Sequence, residues 1–393
     1  MTTTSAPPAE LLRARTAVVI AFGANGLGFA SFISRTPAIR DTLGLSIAQM
    51  GLLLLCLSVG AVTGLPLSGP IVHRLGAGKG VLAGALSVGL GLALLATGLF
   101  TATVLPAGIG LAFAGLGSGV WDVAMNVEGA DVERRLGRSL MPRLHAAFSL
   151  GTVTGAGLGA ASAALGVAVG AQVVLIAVVV PVAAFVVTRR FLPVVESGSE
   201  EKAGLGAFAA WREPRTLVVG LMVLGFAFTE GSANDWIALA LVDGHGASET
   251  VGAVAFAFFV TAMTIGRMFG GSALERFGRV PVLRTTAVIA VAGLALVIFG
   301  GSTPVALAGA LLWGIGASLG FPVGMSAAAD DPVRAAARVS VVSSIGYTAF
   351  LAGPPLIGLI SDHNGILSGL LVVLGALLLG LLAAGAARRR TAG

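Results

Sequence analysis

Residues 271–279 read GSALERFGR, and residues 69–77 read GPIVHRLGA. Both stretches follow an apolar run, and both contain a glycine, an arginine five residues later and a second glycine two residues after the arginine. The first copy has His73 where the second has Glu275. Glycine permits a tight reversal of the backbone between two helices. The repeated turn therefore predicts two related halves, each with a pair of helices joined in this way.

The amino-acid composition indicates that these helices lie in a membrane. Charged residues are 11% of the 393 residues and hydrophobic residues are 56%, whereas soluble domains contain about 25% charged residues. The charged side chains are too few to cover a soluble globule, so we predict an all-α polytopic membrane protein. A cytosolic enzyme and a disordered protein are excluded, and Cys56 has no disulfide partner. Apolar runs of about 20 residues also exclude an outer-membrane barrel.

The apolar runs predict twelve transmembrane helices, since about 20 helical residues cross a bilayer. An even number of spans places both termini on one side of the membrane. The predicted spans are 16–36, 46–70, 80–100, 104–128, 142–165, 168–188, 216–240, 249–272, 282–300, 305–328, 339–361 and 366–387.

The basic residues predict the orientation of the spans. Of the 24 lysines and arginines, 21 fall in loops on the side of the termini. Arg35 and Arg40 fall on the other side, and Arg267 lies within span eight near its inner end. Cytoplasmic loops are enriched in lysine and arginine, so we expect cytoplasmic termini. The net charge of +6 is then a topology signal, and no nucleic-acid partner is expected.

The longest hydrophilic stretch divides the spans six and six. It runs over residues 189–215 and contains ESGSEEK at 196–202, a composition typical of a flexible linker. We predict an N-terminal six-helix bundle over 1–188, a cytoplasmic linker over 189–215 and a C-terminal six-helix bundle over 216–393. Related halves with an axis along the membrane normal are typical of one transporter class, in which the substrate binds between the halves.

The whole chain resembles the major facilitator superfamily, on the twelve spans, the central linker and the two turns. Within that superfamily it is similar to the uncharacterised bacterial branch typified by the inner-membrane protein YbjJ, which is distantly similar to fucose-permease-like transporters. Three stretches carry this similarity: RTPAIR at 35–40, DVAMN at 122–126 continuing to ERRLGR at 133–138 and His145, and EGSANDW at 230–236. The resemblance implies secondary active transport, coupled to an ion gradient.

Three carboxylates in the spans are candidates for proton coupling. Ionisable groups inside a bilayer cost at least about 2.5–3.5 kcal/mol each and usually mark function. Glu230 in span seven is the first candidate, Asp122 in span four the second and Asp235 the third. The alternative for Glu230 and Asp122 is a structural hydrogen bond between helices, and for Asp235 a helix-end position next to an interfacial Trp236.

The amides, one histidine and the aromatic residues of the spans are predicted to line a wet cavity and to bind a polar solute. Asn126 lies four residues after Asp122, and Asn234 lies four residues after Glu230, so each pair shares a helix face. Packing between helices and interfacial positions remain the alternatives, as for Asn25 and His145. The predicted solute-binding residues are Asn25, Trp121, Asn126, His145, Asn234, Trp236, Trp313 and Tyr347.

The turn residues and nearby charges are predicted to act in gating. Gly69 and Gly271 are expected to permit close helix approach, and Gly76 and Gly278 a tight reversal. Charged clusters at the inner ends are expected to hold the halves together when the protein opens outward, with simple topology-setting charge as the alternative. The predicted gating residues are Gly69, His73, Arg74, Gly76, Gly271, Glu275, Arg276, Gly278, Arg279, Arg138 and Arg338.

The predicted function is a proton-coupled symporter or antiporter that moves a small polar solute, sugar-like or a related metabolite, by alternating access. A drug or toxic-metabolite exporter of the same fold is the main alternative, and a non-transporting membrane sensor is a further one. The four histidines have no metal-ligand spacing, and we expect neither an enzyme nor a cofactor. We expect a monomer in the inner membrane, with the small-molecule substrate, protons and the lipid bilayer as partners.

Overall fold

The structure is a computed structural model that describes residues 9–137, 140–192, 210–330 and 334–388. Every regular element in these ranges is helical, so the prediction of an all-α fold is confirmed. Most of the predicted linker falls on residues 193–209, which lie outside the described residues.

The helices of the first half follow one another with short connections. They are α1 (Ala9–Ile33), α2 (Thr36–Leu43), α3 (Ile47–Leu75), α4 (Ala77–Thr101), α5 (Val104–Leu136), α6 (Met141–Ala164) and α7 (Val169–Thr188).

The second half begins with α8 (Pro214–Leu239), which continues into one π turn over Ala240–Gly244. The last regular element of the described residues is a 3₁₀ turn over Ala384–Ala387. Between them lie α9 (Glu249–Phe277), α10 (Arg279–Phe299), α11 (Thr303–Ala317), α12 (Gly320–Ala328), α13 (Ala335–Asn364), α14 (Ile366–Gly369) and α15 (Leu371–Ala383).

The described helices account for the predicted membrane spans. Eleven of them, counting α11 with α12 and α14 with α15 as single spans, are long and apolar enough to cross a bilayer. Helix α6 has 24 residues and is less apolar because it includes Arg143 and His145. Large apolar side chains such as Phe100 and Leu382 are exposed, as expected for a lipid-facing surface.

The chain divides into two compact units. The first contains Met1–Gly44 and Cys56–Ser197, and the second contains Leu45–Leu55 and Gly198–Gly393. The beginning of α3 therefore belongs to the second unit. There Gly51 packs against α13, where a methyl group in its place would lie 3.3 Å from the Cα atom of Gly358. The rest of α3 belongs to the first unit.

Each unit contains an equivalent close crossing of two helices. In the first unit a methyl group on Gly84 of α4 would lie 2.6 Å from the carbonyl oxygen of Gly117 in α5. In the second unit a methyl group on Gly293 of α10 would lie 2.7 Å from the carbonyl oxygen of Gly309 in α11. A buried tryptophan follows four residues later in both cases, at Trp121 and Trp313. The shared packing supports the internal duplication inferred from the turns.

Candidate functional site

An ion pair lies inside the spans of the second unit. Arg267 Nη2 of α9 donates to Glu230 Oε1 of α8 over 2.8 Å, and the two side chains are 31% and 17% exposed. Charge inside a bilayer is costly and is found facing the bundle interior or water-filled cavities. Because charges are costly against acyl chains, we interpret the partly exposed side of this pair as facing a polar surface.

A break between α11 and α12 supplies a second contact for Arg267. In a continuous helix the carbonyl of Ser318 would accept a hydrogen bond from the amide of residue 322, but Pro322 has no N–H. Arg267 Nε donates to this carbonyl oxygen instead, over 3.3 Å. Interrupted helices in transporters are found where the backbone lines a cavity. The sequence thus creates an open acceptor next to the ion pair.

The ion pair lies within two long helices. Helix α9 extends from Glu249 to Phe277, so Arg267 has ten residues after it and eighteen before it. Glu230 lies sixteen residues after Pro214, near the middle of its span. Helix α9 continues past the predicted span end at residue 272 through the polar residues of the turn, and the position of Arg267 near the inner end of the span stays a prediction.

Asn234 and Asp235 lie on the same helix as Glu230, toward the other end of the span. Both side chains are half-buried. Asn234 is one helical turn from Glu230 and shares its face. Asp235 is rotated from that face by about 100°. The Asn234 amide therefore lies on the helix face of Glu230, and the Asp235 carboxylate lies off that face.

The first unit has its own polar pair inside a span. Asn126 Nδ2 donates to the Asp122 carbonyl oxygen over 2.8 Å and lies 3.4 Å from Asp122 Oδ1. Asp122 is exposed and lies eighteen residues after Val104 and fourteen before Leu136. Helix α5 continues past the predicted span end at residue 128 through the charged residues that follow.

Asn25 and His145 occupy different settings within the first unit. Asn25 is 5% exposed, and its Nδ2 lies 3.9 Å from the sulfur of Met125. His145 is exposed and makes an edge contact with Phe22, with ring centroids 5.4 Å apart. Asn25 therefore sits between helices, and His145 presents polar atoms outside the bundle core.

The three tryptophans predicted to stack on a solute are closed off inside their bundles. Trp121, Trp236 and Trp313 are each 0% exposed, and Trp313 makes an edge contact with Phe259 at 5.7 Å. No solute can reach these indole rings in this arrangement, which contradicts a stacking role here. Helix packing against small residues such as Gly84 explains their burial.

Tyr347 is half-buried on α13 and contacts Phe350, with ring centroids 6.3 Å apart. It is the single tyrosine of the chain. Its partial exposure leaves it as a candidate for contact with a solute.

The two sequence turns have almost the same backbone. Gly76 has φ 81° and ψ 163°, and Gly278 has φ 81° and ψ 167°. Both φ values are in the region that favours glycine, as the prediction of a tight reversal requires. The prediction for Gly69 and Gly271 is wrong, because open space surrounds the position of an added methyl group at both residues. No close helix approach occurs there.

The charged residues of the two turns have different surroundings. His73 and Arg74 are exposed at the first turn, as are Glu275 and Arg276 at the second. Arg279 is the exception. Its Nη1 donates to Asp330 Oδ1 over 2.7 Å, and its Nη2 donates to the Ser326 hydroxyl over 2.8 Å. The second turn is therefore fastened to the end of α12.

The inner charges of the second unit pair with one another. Arg338 is 7% exposed, and its Nε donates to Glu213 Oε2 over 2.6 Å. Both residues belong to the second unit, as do Arg279 and Asp330. These ion pairs join helices of one unit, and the role of Arg338 in holding the two halves together stays a prediction. Arg138 lies outside the described residues.

Two buried charges were not recognised as structural from the sequence. Arg35 is 3% exposed, and its Nη1 donates to Gln172 Oε1 over 2.7 Å, which fastens the end of α1 to α7. Glu128 is 4% exposed and accepts the amide N–H of Leu192 over 2.7 Å. The contact of Arg35 could have been predicted from Gln172, because Gln172 is a lone amide at the start of an apolar span.

Among the described residues, no three histidine, cysteine, aspartate or glutamate side chains lie together so as to hold a metal ion.

Known proteins resemble this chain along its whole length. The family model of the Major Facilitator Superfamily matches residues 226–392. An uncharacterised MFS-type transporter of Yersinia pestis is 32% identical over 372 residues, which are 94% of this chain and 94% of that relative.

Two solved structures have a similar fold at low sequence identity. A crystal structure of a mutant of the nucleoside transporter NupG matches with a TM-score of 0.78 and 15% identity, and covers 96% of this chain and 99% of its own. The Escherichia coli fucose:proton symporter FucP matches with a TM-score of 0.64 and 15% identity, and covers 97% of this chain and all of its own. At this identity the likeness concerns the fold.

Proposed function

The chain belongs to the Major Facilitator Superfamily, and from this premise we propose that it is a proton-coupled secondary transporter of a small polar solute. It is a multi-pass membrane protein, and its family and fold are those of a transporter. The proposed part comprises the proton, the chemistry of the solute and alternating access. The ion pair between Glu230 and Arg267 carries this proposal.

The pair can couple a proton to a conformational change because its free energy inside the span differs strongly between ionised and protonated Glu230. With Glu230 ionised, the pair is neutral overall. With Glu230 protonated, Arg267 keeps its charge and retains the Ser318 carbonyl, but the charge is no longer balanced. A state of the protein that gives Arg267 a different partner or more water then favours protonation. A carrier needs such a difference in proton affinity between its states.

We propose that the solute contacts polar groups inside the spans of each unit. Asn234 lies one turn from Glu230, and Asp122 with Asn126 supplies a carboxylate and an amide near the middle of α5. Amides both donate and accept hydrogen bonds, which suits hydroxyl-rich or heterocyclic solutes. The fold neighbours are described as nucleoside and fucose transporters, so nucleosides and deoxyhexoses are the first solutes to try.

The orientation follows from the basic residues. In the second unit Arg215 donates to the carbonyl oxygen of Arg388 over 2.9 Å, so the start of α8 and the end of the chain lie at one end of the bundle. Arg279, Arg334 and Arg338 contact Glu213 and Asp330 at that end. We propose that this end faces the cytoplasm and that the membrane is the inner membrane.

The proposal is tested by uptake of labelled uridine and L-fucose into proteoliposomes with an imposed pH gradient. A thermal-shift screen of metabolites extends the set of solutes, because a ligand of the folded state raises its apparent stability. Uptake should depend on the gradient in the native protein and lose that dependence in Glu230→Gln. The control is Asp243→Asn, which removes an exposed carboxylate from the same unit. Reversing the gradient separates import from export, and an unchanged pH dependence in Glu230→Gln rejects the proposal.

A further inference from the structure

The end of the second unit where α8 begins contains two carboxylates that each bind two arginines. Glu213 accepts from Arg334 Nη1 over 3.0 Å at Oε1 and from Arg338 Nε over 2.6 Å at Oε2. The hydrogen bond from Arg338 is the main cause that lowers the pKa of Glu213 to about 2. Glu213 is therefore ionised at neutral pH.

Asp330 repeats the arrangement a short distance away. It accepts from Arg279 Nη1 over 2.7 Å and from Arg215 Nη2 over 3.0 Å. Burial raises the pKa of Asp330, but the hydrogen bonds from Arg279 and Arg215 together lower it further than burial raises it. This group is also ionised at neutral pH. Four guanidinium groups thus face two carboxylates, which leaves two positive charges in excess within the group. We name these residues the arginine cluster: Arg215, Arg279, Arg334 and Arg338.

A cavity of about 430 Å³ opens at the cluster. Small-ligand sites have volumes of about 300–1,000 Å³. The charged side chains of its lining are Glu213 and three members of the cluster, Arg215, Arg334 and Arg338. Thr216 adds a hydroxyl, and Val219, Ala327 and Ala328 add apolar wall. The space is therefore large enough for a small ligand, and the charged residues of its lining carry an excess of positive charge.

The first turn of α8 adds to the positive field of the cavity. The helix has 26 residues and begins at Pro214, and its first residues line the cavity. The amide N–H groups of Arg215 and Thr216 have no partners within the helix, whereas Pro214 has no N–H and the Leu217 N–H donates to the Glu213 carbonyl. The helix dipole also places partial positive charge at this end. Backbone donors and guanidinium groups thus converge on one space.

We propose that this cavity binds a phosphate-type anion, either the headgroup of an anionic phospholipid or a soluble phosphate compound. A phosphate carries up to two negative charges, which matches the charge excess of the arginine cluster. Planar guanidinium groups bind phosphate oxygens through paired hydrogen bonds. Exposed Leu217 and Val218 lie on α8 just past the cavity, so an acyl chain could lie against the helix while its headgroup entered the cavity.

Thermal unfolding of the purified full chain tests the site with two probes. The first arm titrates inorganic phosphate against chloride at equal ionic strength. The second compares nanodiscs of phosphatidylcholine with nanodiscs that also contain phosphatidylglycerol. A rise in Tm with phosphate alone supports a soluble ligand, a rise with phosphatidylglycerol alone supports a lipid headgroup, and a rise with both supports the shared chemistry. No rise in either arm overturns the proposal.

The variant Arg334→Gln locates the effect. The Arg334 side chain is 62% exposed, so its replacement should not prevent folding. We expect the Kd of the stabilising probe to rise about tenfold or more, as for the loss of one charge-assisted hydrogen bond. The matched control is Arg276→Gln, which removes the same charge from an exposed residue outside the cavity lining and should leave the Kd unchanged. Equal Kd values in the two variants overturn the proposal.

A second variant gives a test of opposite sign. Glu213→Gln removes one carboxylate and raises the charge excess from two to three. Phosphate should then bind several-fold more tightly than in the native chain. Weaker or equal binding in Glu213→Gln would show that the cluster charge does not hold the anion, and would overturn the proposal even if Arg334→Gln did not fold.

Discussion

The turn between α3 and α4 and the turn between α9 and α10 have nearly the same backbone and different charges. Gly76 and Gly278 agree in φ and differ by 4° in ψ. At the residue that follows, the first turn has Ala77 and the second has Arg279, which binds Asp330. Glycine was needed in both turns because φ is positive. The charged residues had no such constraint, and the two halves differ there.

The same contrast appears inside the spans. The second unit holds an ion pair, Glu230 with Arg267, and the first holds a carboxylate with an amide, Asp122 with Asn126. Only the ion pair contains a permanent cation, Arg267, and the charge of Arg267 is balanced only when Glu230 has lost its proton. We therefore propose that the second half carries proton coupling and that the first half contributes hydrogen bonds to a solute.

The largest effect is expected from breaking the ion pair of the second half. Arg267→Gln should lower the free energy of unfolding in detergent by up to about 3 kcal/mol, because it leaves Glu230 ionised in a span without its partner. The double variant Glu230→Gln with Arg267→Gln should lose less, because no charge is left. Asp122→Asn in the first half should cost less than about 1 kcal/mol. If the double variant lost the sum of the single effects, the pair would not interact as described.

An intermediate and equal effect in both halves is expected from their shared helix crossings. Gly84→Val and Gly293→Val should each lower the free energy of unfolding by about 1–3 kcal/mol, because the added atoms overlap the facing backbone. Gly69→Ala and Gly271→Ala are the controls. They lie in open space within helices, where alanine is favoured over glycine by up to about 1 kcal/mol. A tolerated Gly84→Val together with a disruptive Gly293→Val would show that the crossings are not equivalent.

The smallest effect concerns pH and is expected in the second half alone. The pKa of Glu213 is lowered to about 2 from its ordinary value of 4.5, first by the hydrogen bond from Arg338. Its contribution to stability is therefore complete above pH 4.5 and is lost as pH falls toward 2. Glu213→Gln should remove this part of the acid dependence of Tm. An identical decline between pH 5 and pH 3 in the variant and the native chain would contradict the assignment.

The sequence predicted the helices well because span length is set by the bilayer and apolar runs are easy to recognise. It also predicted the reversals at Gly76 and Gly278, since glycine adopts a positive φ without steric cost and is the usual residue where a helix reverses tightly. The ends of two helices were predicted too early. Helices α5 and α9 continue through charged residues beyond the predicted spans, where the local composition resembles a loop.

The contacts of the site could be predicted only in part. Glu230 and Arg267 were each recognised as rare charges inside spans, but they are 37 residues apart, and the packing of α8 against α9 is needed to pair them. Likewise, the sequence shows that Pro322 has no N–H to donate, but only the fold shows that the freed carbonyl of Ser318 meets Arg267. The tryptophans were misassigned because their type suits both a wet cavity and a packed core.

The central claim is that Glu230 carries the coupled proton, and it is tested most directly by comparing two transport modes in one preparation of proteoliposomes. Exchange of labelled for unlabelled solute without a gradient requires binding and conformational change, whereas accumulation also requires the proton. In Glu230→Gln we predict exchange close to that of the native chain and accumulation driven by a pH gradient reduced at least about tenfold. Accumulation at the native level in Glu230→Gln would contradict the account.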